Sequence, residues 1–270
     1  MQAPEILGII AGNGSYPRLL AESARNAGVK RIVAAAFDGE TDAKLDEYVD
    51  EANWMRVGQL SQLLNCFRLA GVRQAIMAGQ IAPKHLFNLR PDWKTLLLLA
   101  RLKRRNAESI FGAIADELSG IGVELLPAYT FLDHLLAPAG LIAGPNLSRQ
   151  HESDVTFGLE IAREVSRLNI GQTVVVKNGT VLAVEGFDGT NETLKRGGRL
   201  ARKHGIMVKV SKPNQDMRFD VPTIGPETIR VAAEANLRVI AVEAGKTLLL
   251  ERETLGELAG SANISVIGRS

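Results

Sequence analysis

At 270 residues the chain is long enough for one large or two modest domains around a real core. Hydrophobic residues make up 46% and charged residues 23%, an ordinary globular balance, and a net charge of +2 offers no bulk argument for nucleic acid. The single cysteine, Cys66, excludes an internal disulfide and suits a reducing compartment. It sits in an apolar helical pattern, as a buried structural thiol does. The N-terminus lacks the basic start of a signal peptide, and no run of about 18 apolar residues exists to span a bilayer.

In chain order, an apolar run over Ile6–Ala11 predicts a strand, and GNGSYP leads into a helix over Tyr16–Asn26 that stops at Gly28. Arg31–Ala36 is the next predicted strand. Leu60–Leu69 reads as a helix closed by Gly71, and Gln74–Ala78 as a strand. KTLLLLARLKRR, Lys94–Arg105, reads as a helix that is apolar most of the way round with a cationic end. A core helix with a basic solvated end is one reading of it. Leucines touching acyl chains, with the basic end near anionic lipid, is the other. Ser109–Leu118 is helical and Val123–Leu126 a short strand. This alternation predicts a parallel sheet with helices on its faces.

PAGLIAGP, Pro138–Pro145, is rich in small residues and is read as the linker. A helix over Asp154–Leu168 follows. Thr173–Val176 and Thr180–Val184 flank Lys177-Asn178-Gly179, a strong hairpin signal. A helix over Glu192–Lys203 leads to a strand over Ile206–Val210. Beyond the loop at Lys212–Pro226, a helix spans Glu227–Asn236, and Val239–Val242 and Lys246–Leu250 are predicted to pair around Glu-Ala-Gly. A short helix and a strand over Ile264–Ile267 finish the chain. The expected class is α/β with two domains: an N-terminal Rossmann-like parallel sheet with helices on both faces (1–137), a linker (138–150), and a C-terminal mixed α/β domain (151–270).

Three segments carry candidate chemistry. GNGSYP follows a strand and opens a helix, where backbone N–H groups and the positive helix end suit an anion. Gly12 and Gly14 allow close approach, and Pro17 suits the first helical turn. The spacing lacks the third glycine of the dinucleotide fingerprint, and the next strand ends without a suitable acid. A tight strand-to-helix turn is the plain alternative. MAGQI ends another strand, so Gln80 and Lys84 are candidate contacts at a sheet's carboxyl edge. The histidines at 85, 134, 151 and 204 are scattered and show no metal-ligand spacing.

The third segment is KPNQDMRFDVPTIGP, Lys212–Pro226. Its prolines and glycine disfavour a long helix, leaving a shaped loop with at most a short strand over Met217–Val221. Asp216 and Asp220 stand among Lys212 and Arg218, which suits a divalent metal beside a phosphate; a solvated loop with surface ion pairs is the alternative. Arg218 has a second reading as the structural partner of Asp220.

This run resembles the hallmark of the UDP-2,3-diacylglucosamine pyrophosphatases of the LpxI type, KP-x-QD-x-RFD-x-P-x-x-GP. Ile10–Pro17, Val57–Leu60, Met77–Ile81, Gly171–Thr190 and Ile240–Leu250 match in the same order, so the likeness covers nearly the whole chain. It implies a cytoplasmic hydrolase of lipid A biosynthesis, peripheral on the inner membrane surface, that yields UMP and 2,3-diacylglucosamine 1-phosphate by water attack at the sugar-side phosphorus. The acylated product is expected between the two domains. Asp216, with Asp188 or Asp220, would hold Mg2+, which Mn2+ replaces. Substrate contacts would fall at Gly12, Asn13, Gly14, Tyr16, Gly79, Gln80 and Lys84 in the first half. In the second they would fall at Gln172, Thr190, Lys212, Arg218 and Thr223. Contact with the membrane surface is expected, no nucleic acid is, and a homodimer is an open expectation.

Two blocks depart from the family pattern. In VEGFDGTN, Asp188 replaces a glutamate and Asn191 stands where an aspartate is usual; Asn106-Ala107-Glu108 replaces a GDD-like segment. A weaker metal site or a shifted substrate preference follows. A non-catalytic binder of a nucleotide sugar or acylated sugar phosphate is therefore the second reading, and a nicotinamide-dependent reductase a third.

Overall fold

The computed structural model describes residues 3–81, 91–103, 107–213 and 215–270. Lys84, His85, Arg104, Arg105, Asn106 and Asn214 lie outside the described residues. The chain divides into two compact units: 1–133 with 216–220, and 134–215 with 221–270.

In the first unit β1 (Ile6–Ala11), β2 (Arg31–Phe37), β3 (Glu51–Met55), β4 (Gln74–Ala78) and β5 (Glu124–Leu125) form a parallel sheet in the order β3-β2-β1-β4-β5. The central strands are buried almost throughout, which is why they read as unbroken apolar runs. Helices α1 (Tyr16–Asn26), α2 (Leu60–Ala70), α3 (Trp93–Arg101) and α4 (Ala107–Gly120) cover both faces of the sheet. On one face Leu63 and Phe67 of α2 and Leu118 of α4 pack with Val33, Ala35 and Met77. α2 stops at Gly71, whose left-handed backbone returns its N–H to Phe67 and Arg68 carbonyls. α3 starts on Asp92, whose carboxylate accepts the Thr95 N–H at 2.8 Å. After β3 the chain returns to the far side of β1 to lay down β4. The carboxyl ends of β1 and β4 thus flank the point where strand order reverses, the crevice that open α/β sheets use for ligands.

The second unit holds a mixed sheet in the order β6-β13-β11-β9-β7-β8. Its strands are β6 (Gly140–Ala143), β7 (Thr173–Lys177), β8 (Thr180–Val184), β9 (Gly205–Lys209), β11 (Leu237–Glu243) and β13 (Ser265–Arg269). β9, β11 and β13 run parallel, while β6 and β7 are antiparallel to their neighbours. Side chains alternate as a pleated strand requires. Val174, Val176, Ile206, Val208 and Val239 meet Val155, Leu159 and Ala162 of α5 (Arg149–Arg167) on one face. Val175, Met207, Ile240 and Val242 face α6 (Gly189–Ala201), α7 (Pro226–Glu234) and α8 (Arg252–Ser261) through Leu194, Ile229 and Leu255. The β7–β8 hairpin turns through Asn178 and Gly179, both at positive φ, and buried Asp154 accepts both turn N–H groups at 2.9 Å.

Three local expectations need correcting. The segment read as a linker contains β6, which pairs with β13 at the sheet edge. Met217–Val221 forms no strand: 217–219 turn, and Phe219 and Asp220 return their N–H groups to the Asp216 carbonyl. The hairpin around Glu243-Ala244-Gly245 does not form, because β9 and β13 already occupy both edges of β11. Leu248–Leu249 (β12) pairs instead with Thr223–Ile224 (β10).

Candidate functional site

The loops after β1 and β4 are tied together by backbone. The Gly12 N–H donates to the Ala78 carbonyl at 2.7 Å, and the Asn13 N–H to that of Gln80 at 2.7 Å. A Cβ at Gly12 would lie 2.7 Å from the Gln80 oxygen, and one at Gly79 2.7 Å from the Asn13 oxygen. Gly79 also holds φ +91. Both glycines are needed for the two loops to approach, so Gly12, Asn13, Gly79 and Gln80 come together at the switch point. α1 begins just beyond, with no acidic side chain in its first turn and no side-chain cap at Ser15, so its end is left positive. Tyr16 is engaged elsewhere. Its buried hydroxyl donates to the Ala128 carbonyl at 2.6 Å, and burial raises its pKa far above the usual phenol value.

An apolar cavity of about 80 Å³ lies under α3, lined by Leu60, Leu63, Leu98, Leu99, Phe111 and Ile114 among others. Leu98 and Leu99 of the leucine-rich helix therefore face inward.

In the hallmark loop, Asp216–Asp220 group with the first unit. The Met217 carbonyl accepts from Ala128 N–H at 2.7 Å, and the Phe219 ring lies 5.8 Å from Phe111. Arg218 pairs with Asp216 rather than with Asp220. Its Nε donates to Oδ1 and Oδ2 at 2.9 and 3.1 Å, its Nη2 to Oδ2 at 2.6 Å, and its backbone N–H to Oδ1 at 3.1 Å. That guanidinium holds the Asp216 carboxyl below the usual carboxylate range. Asp220 is half-buried two residues on. Lys212 belongs to the second unit, and its N–H donates to Gln215 Oε1 at 2.7 Å.

Asp188 also lies in the second unit, just ahead of α6. Its Oδ1 accepts from Gly186 N–H at 3.0 Å, and its Oδ2 pairs with Arg196 at 3.1 Å. Beside it runs a partly buried polar chain. The Thr190 hydroxyl donates to Glu185 Oε1 at 2.9 Å, and Lys209 Nζ donates to Thr190 Oγ1 at 3.2 Å and to the Thr223 carbonyl at 3.3 Å. Gln172 donates its backbone N–H to Glu185 Oε2 at 3.3 Å. The expected contacts Gln172, Thr190 and Thr223 are thus brought together, around Glu185 and Lys209. Lys209 is absent from the sequence-based candidates. A lone lysine inside the apolar run Ile206–Val210 was the available signal. At the end of β11, burial pushes Glu243 up but Lys246 and the Ser211 hydroxyl and N–H outweigh it, leaving its pKa lowered.

Among the described residues no group of three histidine, cysteine or acidic side chains is placed to hold a metal ion. Asp216 accepts four hydrogen bonds from Arg218, two on each oxygen, which takes up its lone pairs, whereas each Asp188 oxygen has one partner and keeps a further lone pair. The donors are hard carboxylate oxygens, the type that Mg2+ takes singly alongside water and substrate phosphate; at Asp216 a cation would have to displace one of the Arg218 bonds. The donor set does not fit a cage made by the protein alone.

Family models described as the LpxI N-terminal domain and the LpxI C-terminal domain match residues 6–135 and 138–267. The UDP-2,3-diacylglucosamine pyrophosphatase LpxI of Caulobacter vibrioides is 32% identical over 273 residues, spanning 97% of this chain and 96% of that protein. Among solved structures, the biotin carboxylase subunit of pyruvate carboxylase aligns at 14% identity and a TM-score of 0.27, over 73% of this chain and 41% of that one. So slight a likeness carries no argument about fold or function. The two domain matches and the near full-length relative agree in order and extent, and the chain belongs to the LpxI family.

Proposed function

We propose that this protein hydrolyses the diphosphate of UDP-2,3-diacylglucosamine, releasing UMP and 2,3-diacylglucosamine 1-phosphate in lipid A biosynthesis. The observation that carries the reading is the near full-length relationship to a protein named for that reaction. The place of Gly12–Gly14 and Gly79–Gln80 at the switch point of the sheet supports a nucleotide contact there. A water oxygen attacks the sugar-side phosphorus, the bond to the bridging oxygen breaks, and UMP leaves with that oxygen.

Lys212 meets the diphosphate as a point charge and Arg218 as a planar fork. Asp216 is the essential carboxylate, with Asp188 or Asp220 as the second ligand of Mg2+ or Mn2+. A cation held there would neutralise phosphate oxygens and lower the pKa of a water. Arg218 keeps Asp216 ionised and oriented, and a cation held there would take the place of one of its hydrogen bonds. The reaction takes place in the cytoplasm, at the membrane surface where the lipid resides. Among the described residues no helix is long and apolar enough to cross that membrane.

The test is release of UMP from UDP-2,3-diacylglucosamine with added Mg2+ and after chelation. Metal-dependent release is expected. Tight binding of the lipid without release would instead support the non-catalytic reading, which the comparisons do not favour.

A further inference from the structure

α3 is apolar on two faces, and among the described residues only one of them is covered. Thr95, Leu98 and Leu99 point into the first unit and line the cavity there. Trp93, Leu96, Leu97 and Ala100 point outward. Their spacing is i, i+3, i+4, i+7, the pattern of a helix face meant to be buried. Trp93 is 73% exposed, Leu96 50% and Leu97 38%. Isolated exposed apolar residues such as Leu69 and Leu200 are ordinary surface, but a stripe at helical spacing is not. The exposed charges at the C-terminal end of the stripe are positive. Arg101 and Lys103 are exposed at the helix end, whereas Asp92 caps the other end and Lys94 is paired with Glu117 at 2.7 Å.

We propose that this outward face of α3 docks on a lipid bilayer with anionic headgroups. Nine residues are too few to cross a membrane, which takes about 20. A short helix with tryptophan and leucines on one side and cations at its edge lies in the interface plane, its apolar stripe among the upper acyl carbons. A second copy or another protein is the poorer occupant. Stable protein interfaces take about 20–30 residues a side, and this stripe offers four. The proposal rests on the catalytic reading only in that a lipid substrate gives the contact a purpose.

The experiment uses the full chain with sedimenting vesicles of phosphatidylethanolamine and phosphatidylglycerol, and with neutral phosphatidylcholine vesicles. Binding to the anionic vesicles that weakens with salt is expected, together with a blue shift of tryptophan emission that Trp93→Phe removes. The double variant Leu96→Glu/Leu97→Glu should lose about tenfold or more in vesicle partition. Arg101→Glu/Lys103→Glu, which leaves packing untouched, should lose binding to the anionic vesicles alone. Wild-type partition in both variants would overturn the proposal. So would a protein that ignores vesicles and self-associates through residues 96 and 97. UMP release from detergent-dispersed substrate is read separately, and both variants should keep it. Vesicle binding without any UMP release from the wild type would sink the catalytic reading and leave the docking face standing.

Discussion

Asp216 shares both carboxylate oxygens with Arg218, and that pairing sets what each residue contributes. A guanidinium bound side-on keeps the carboxylate charged and its plane fixed. Glu243 shows the same logic in a structural setting. Burial disfavours its charge, but Lys246 and Ser211 overcome that and leave its folded pKa lowered. A lowered carboxylate pKa adds stability above the unfolded value, near 4.3, and that stability is lost as pH falls through the folded value. Urea midpoints of the wild type should therefore fall on acidification below about pH 4, and Glu243→Gln should show a shallower acid limb. An unchanged acid limb in that variant would remove Glu243 from the account. Tyr16, expected at the substrate, is engaged with the Ala128 carbonyl and ties α1 to the segment after β5.

At the scale of elements, two turns carry sharp expectations. Gly12→Ala forces a methyl against the Gln80 carbonyl, which is backbone and cannot swing away. It should cost roughly 2 kcal/mol and raise KM, as urea unfolding and turnover would show. Asp154→Ala leaves the Asn178 and Gly179 N–H groups without their acceptor; a loss of roughly 3 kcal/mol in urea unfolding is expected, with turnover otherwise kept.

The glycine-bounded strands, the first helix and the Asn-Gly hairpin were legible because each depends on neighbours in sequence. β3, β6 and the β10–β12 pair were not, since short strands of mixed composition are chosen by distant partners. The same cause defeated the expected hairpin after β11: a local turn signal loses to two parallel neighbours. Of the candidate site, GNGSYP and the hallmark loop stood out in the sequence as segments to propose. The Arg218–Asp216 pairing and the place of Lys209 beside Thr190 depend on geometry that spacing does not encode.

Across the whole molecule, two α/β units each present polar groups at the carboxyl edge of a parallel strand set: Gly12 and Gln80 in one, Lys209 and Glu243 in the other. Asp216–Asp220 pack with the first unit although the flanking chain belongs to the second. The candidate acids are accordingly divided, with Asp216 and Asp220 in one unit and Asp188 in the other. The central claim is that Asp216 is the carboxylate that hydrolysis requires. The most direct measurement is Mg2+-supported UMP release from UDP-2,3-diacylglucosamine by wild type and by Asp216→Ala, with equal urea midpoints showing that both are folded. A fall of at least about a thousandfold in kcat, roughly 4 kcal/mol, is expected. Near-normal turnover in the folded variant would contradict the account.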